Sequence, residues 1–108
     1  MERSNADFDI VKNLAIIEKL KCNLLSCTAD LFSGMTAANT NAFERKDLLA
    51  EIIISAYLLS RKLGIDFEGI DKEILDKLKI GILDDSNLST DKSVLYKYMN
   101  DTKHRLNL

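Results

Sequence analysis

The stretch LLAEIIISAYLLSRKLGID, residues 48–66, decides how this chain is read. Taken alone, Ile52, Ile53 and Ile54 favour a strand, because β-branched side chains suit a pleated surface. The flanks argue otherwise. Leucine, alanine, Glu51, Arg61 and Lys62 are strong helix formers, and Leu63, Gly64 and Ile65 fit a helix end in which glycine takes the left-handed turn. The segment is therefore read as a helix that begins near Ala42. From Leu48 to Leu59 it is apolar nearly all the way round, which predicts a central helix with Ile53 and Leu58 as core residues.

Upstream, Ile10, Leu14, Ile17, Leu20, Leu24, Cys27, Leu31 and Met35 recur at spacings of three and four, one continuous helical stripe. That first helix is expected to start near Asn5 to Asp7 and to run to about Ser33, with Gly34 at its end and a polar connection through Met35 to Ala42. Downstream, Asp66 can cap a third helix in which Phe67, Ile70, Ile74 and Leu78 repeat at helical spacing. Gly81 to Thr90 reads as a loop, and a last helix follows over about residues 91–106. The fold class is all-α: an antiparallel domain of about four helices, a single domain over 1–108 with its core at 7–82.

The chain has 108 residues, too few for four helices each to bury a face completely. Self-association through the first two helices, forming a four-helix core across subunits, is the expected remedy: a homodimer or higher homo-oligomer. With 46% hydrophobic and 30% charged residues and no proline, the composition is that of a folded helical protein. A net charge of -2 gives no field to draw the chain to nucleic acid or an anionic membrane, and no recognition helix is basic. No apolar run reaches the roughly 20 residues of a membrane span, and the first residues lack a signal peptide's pattern, so the expected location is cytoplasmic. Cys22 and Cys27 lie on different sides of one helix and are read as reduced packing thiols; with a solitary His104 they do not assemble a zinc site.

Two acids stand out. Asp30 is the only charged residue between Cys22 and Phe43, and Glu51 the only one between Leu48 and Ser60. A carboxylate in such a setting is paired, hydrogen-bonded or coordinating a cation if it is buried, and otherwise sits on the wet edge of its helix. Glu44, Asp47 and Glu51 share one face, and an antiparallel pairing of the first two helices would bring Asp30 towards them. Clustered carboxylates with room for water suit Mg²⁺, whose shell substrate phosphate oxygens can complete. Glu44 and Asp47 equally suit a helix's first turns, where the macrodipole favours acids.

The run from Leu49 to Asp66, followed by Lys77, Leu78 and Lys79, resembles the MazG-like branch of the all-α nucleotide pyrophosphohydrolases. The opening helix, through Phe8 to Asn13, Leu24 and Leu25, and Asp30 to Phe32, is similar too, so the resemblance covers about Asp7 to Ile82. It implies Mg²⁺-dependent hydrolysis of a nucleoside triphosphate to monophosphate and pyrophosphate, with the metal held by an E-x-x-E pair on one helix and an E-x-x-D pair on the next. Fitted from Gly64, the second pair falls on Leu48 and Glu51; fitted around Asp30, the first falls on Cys27 and Asp30. Each pair has lost one acid. A literal E-x-x-D, Glu44 and Asp47, lies one turn early and is the weaker match. The resemblance places Lys77 and Lys79 near the substrate phosphates, and Tyr57 suits either base stacking or the core. Its implication is a metal site reduced to Asp30 and Glu51, with weak or absent activity. The alternative is a non-catalytic helical dimer, a scaffold or partner-binding module that keeps the fold without the chemistry.

Overall fold

The computed structural model describes the backbone of residues 2–37, 41–83 and 87–106, and the side chains of 9–36, 41–83 and 87–102. Four helices account for nearly all of it: α1 (Glu2–Ala37), α2 (Ala42–Lys62), α3 (Phe67–Leu83) and α4 (Ser89–Leu106), with no strand among the described residues. The chain forms two compact units, Met1–Ile65 and Asp66–Leu108. In the first α1 packs on α2, and in the second α3 packs on α4.

Local chemistry explains the helix ends. Asn41 accepts the Glu44 N–H on its Oδ1 at 2.8 Å and caps α2. At the other end Gly64 has φ +86°, Ile65 N–H donates to the Ser60 carbonyl at 3.0 Å, and Gly64 N–H donates to the Arg61 carbonyl at 3.1 Å. This Schellman arrangement needs a residue free to turn left-handed, which is why glycine stands there. Ser60 closes the turn a second time, donating its hydroxyl to the Ile65 carbonyl at 3.0 Å. Asp66 accepts the Gly69 N–H at 2.7 Å and starts α3, as its sequence position suggests.

Several expected boundaries move. α1 begins at Glu2 and continues to Ala37, so Gly34 is not its end but a buried residue inside it. Residues 38–40 of the expected connection lie outside the described residues. α3 runs to Leu83 and α4 starts at Ser89, which narrows the expected Gly81–Thr90 loop; residues 84–86 of it are also outside the described residues.

The first unit is an antiparallel hairpin. Asn13 on α1 donates to the carbonyl of Lys62 at the end of α2, while Asn23, further along α1, reaches Ser55 and Glu51, further back on α2. Along its packed seam Cys27, Leu31 and Gly34 are buried on α1 and Ser55 on α2, with Leu48, Ile52 and Leu59 half-buried on the same face of α2 as Ser55. This corrects the expected core. Ile53 is 55% exposed and Leu58 43%, because Ser55, bonded to Asn23, marks the face of α2 that meets α1. The stripe on α1 is buried only at its middle, with Ile10, Leu14 and Met35 exposed.

In the second unit Leu78 and Gly81 are the buried residues of α3. The stem of Lys92 on α4 crosses Gly81 so closely that a Cβ there would lie 2.6 Å from Lys92 Cδ. α3 and α4 therefore touch through a glycine and the methylenes of a lysine.

Candidate functional site

The acids singled out by sequence collect on the hairpin. Asp30 lies on α1, Glu44, Asp47 and Glu51 on α2, and all four side chains are exposed. Between the helices sits Cys27, 9% exposed. Burial pushes its thiol above the ordinary range, and the carboxylates of Glu51, Asp30 and Asp47 push it the same way. Three of the four candidate acids thus act on the same thiol. Glu44 lies in the first turn of α2, beside the Asn41 cap, where the helix dipole favours an acid.

Asn23 binds this region together. Its amide Nδ2 donates to Ser55 Oγ at 2.7 Å and to Glu51 Oε2 at 3.4 Å, and its Oδ1 accepts from the Cys27 thiol at 3.7 Å. Neither Asn23 nor Ser55 was marked by the sequence reading. The available signal was positional: Asn23 lies four residues before Cys27 and Ser55 four after Glu51, so each falls on the same helix face as a residue that was marked.

Mg²⁺ favours near-octahedral oxygen coordination. Among the described residues no three of His, Cys, Asp and Glu come together closely enough to hold a metal ion. A neutral thiol is a poor partner for a hard cation, so Cys27 adds no ligand to the oxygens of Asp30 and Glu51.

The candidate phosphate ligands lie in the second unit. Lys77 lines a surface groove with Ile80, Gly81, Leu83 and Lys92. Lys79 is turned to a different neighbour, its ammonium 5.9 Å from the centre of the Tyr96 ring, a cation–π contact. Tyr57 is half-buried on α2. Among the described residues no helix is long and apolar enough to cross a membrane.

The model of the MazG-like family matches residues 10–95, extending the span of the sequence resemblance into α4. No curated protein and no solved structure matches the chain.

Proposed function

The chain belongs to the MazG-like family, and from that premise we propose that it is a protein of the nucleotide pyrophosphohydrolase type whose metal site is eroded and whose activity is weak or absent. The observation that carries the reading is Cys27. It is a buried neutral thiol, its ionisation raised by burial and by the charges of Glu51, Asp30 and Asp47, at a position where the resemblance calls for an acid. Leu48, half-buried on α2, stands at the second such position. With the oxygens of Asp30 and Glu51 alone, affinity for Mg²⁺ would come mainly from substrate phosphates.

Calorimetric titration with Mg²⁺ and a non-hydrolysable nucleoside triphosphate, beside an assay for released pyrophosphate, tests this reading. Weak heat that needs both Mg²⁺ and nucleotide, and that Glu51→Gln removes, supports it. Tight binding of Mg²⁺ without nucleotide, or rapid turnover, overturns the erosion. Complete indifference to both ligands leaves the scaffold.

That second reading has its own support in the exposed apolar side chains of the hairpin. Leu25, Phe32, Phe43, Leu49, Ile53 and Ile54 are between 47% and 72% exposed. Such side chains on a soluble helical hairpin call for a covering surface. A second copy, joined through the first two helices into a four-helix core, would provide one with matched chemistry. Sedimentation at micromolar concentration distinguishes that homodimer from a stable monomer.

A further inference from the structure

We infer that Asn23 is the positioning residue for Glu51, its neutral amide supplying that carboxylate with a donor from across the helix interface. The inference rests on the proposed reading only in treating Glu51 as a remaining acid of the site; the contact itself is read from the hairpin alone.

The geometry fixes which way the amide points. Asn23 offers two N–H donors on one side and one carbonyl oxygen on the other. The donors meet Ser55 Oγ at 2.7 Å and Glu51 Oε2 at 3.4 Å, while the oxygen receives the Cys27 thiol at 3.7 Å. Rotating the amide by half a turn would set its oxygen against the Glu51 carboxylate and its donors against a thiol that also needs an acceptor. Both changes are unfavourable, so the carboxylate and the thiol together select one orientation. Ser55, at 2% exposure, supplies the anchor: the short bond to a buried hydroxyl holds the amide, and the second donor then steadies Glu51 from across the interface.

Asp30, Asp47 and Glu51 act electrostatically on the Cys27 thiol, and Lys19 lines the surface groove beside Asn23. The amide is a donor to Glu51 supplied by α1, and it needs no metal to act.

The discriminating variant is Asn23→Asp. It preserves size and still offers oxygens to the Cys27 thiol and, once the hydroxyl rotates, to Ser55. The contact that changes sign is the one with Glu51, where two carboxylates now face each other. The Asn23→Asp variant should melt roughly 4 °C or more below the unmutated protein at pH 7, near the lower end of what a modest destabilisation gives for a domain of this size. Adding Glu51→Gln should restore most of that loss, because amide and carboxylate have then exchanged places and the hydrogen bond is remade. A residue that merely fills space would show no such rescue. The melt of the unmutated protein should be the same in Mg²⁺ as in EDTA.

If the double variant is no more stable than Asn23→Asp alone, or if neither folds, the assignment is overturned, since the contacts to Cys27 and Ser55 survive in both. These melts contain no nucleotide, so they can fail while the calorimetric titration succeeds, and the reverse.

Discussion

Asn23 on α1 and Ser55 on α2 are joined by a 2.7 Å hydrogen bond at the most buried side chain of the hairpin, Ser55 being 2% exposed. A small hydroxyl at that point lets the helices approach closely, and the amide opposite satisfies it. The contact combines short range with a polar pair, and a buried polar group left without its partner is costly.

Replacing Ser55 should therefore separate the two contributions. Ser55→Ala keeps the close approach but removes the partner of the Asn23 amide, and should destabilise by about 1–3 kcal/mol. Ser55→Leu removes the partner and also forces the helices apart, so overpacking adds a further ~1–3 kcal/mol. Urea unfolding followed by helical circular dichroism measures both. Equal losses in the two variants would mean that the interface has room at Ser55 and that the seam is not close-packed.

Ile53 tests the outward face of α2. At 55% exposure it has little to lose within one chain, so in a monomer Ile53→Lys should change stability by about 0.5 kcal/mol or less. In a dimer built on this face the same change buries a charge, and the oligomer should dissociate. Sedimentation velocity of both forms at micromolar concentration is the check. A variant that keeps the oligomeric state of the unmutated protein would move the interface away from Ile53.

The all-α class, the helix that starts at Ala42, its ending at Gly64 and the start of α3 at Asp66 were all legible in the sequence, because each rests on local chemistry: periodicity, a capping side chain, a glycine at positive φ. What sequence could not give was the rotation of α2 about its own axis. A helix that is apolar nearly all round carries no phase signal, so Ile53 and Leu58 looked as eligible for the seam as any neighbour, and the serines looked incidental. The observed phase sets Ser55 against Asn23 of α1, with Ile52 and Leu59 half-buried on the same face. Gly34 misled in the same way, reading locally as a stop and serving in the fold as a packed surface. For the acids, sequence identified Asp30 and Glu51 by their isolation. It did not show that a thiol and an asparagine lie among them, because that depends on which residues of α1 meet which of α2.

The thiol of Cys27 predicts a pH dependence. Burial, followed by Glu51, Asp30 and Asp47, raises its folded-state ionisation above the ordinary thiol range. The stability this contributes is fully present below the unfolded thiol's pKa and is lost as pH rises through the raised folded value. Melting temperature should fall from about pH 8 upward, and Cys27→Ala should lessen that fall while leaving the curve below about pH 7 the same in shape. Cys22, which is exposed, should be alkylated well before Cys27 at pH 8. Identical alkaline slopes for the two proteins would assign the loss to other groups.

Restoring one of the two missing acids is the most direct examination of the eroded site. Cys27→Glu places a fourth carboxylate among Asp30, Asp47 and Glu51, in a position only 9% exposed in the parent. Without a divalent cation the variant should be less stable at pH 7, since the new group is both desolvated and surrounded by like charge. Lowering the pH should relieve this, because a carboxyl whose folded pKa is raised stabilises the fold on the acid side of its titration and loses that contribution as pH rises. Mg²⁺ should relieve it at pH 7 by a different route, binding the folded form alone; at about 100 times its dissociation constant that is worth about 2.7 kcal/mol. The measurement is a set of thermal melts of parent and variant, in EDTA and in millimolar Mg²⁺. Recovery by Mg²⁺ in the variant but not in the parent would show that the hairpin retains the shape of a metal site and lacks ligand oxygens, of which this is one. Recovery by acid alone, with no response to Mg²⁺, would mean that Asp30 and Glu51 no longer converge on a common point, and the erosion would then extend from the ligands to the geometry that once gathered them.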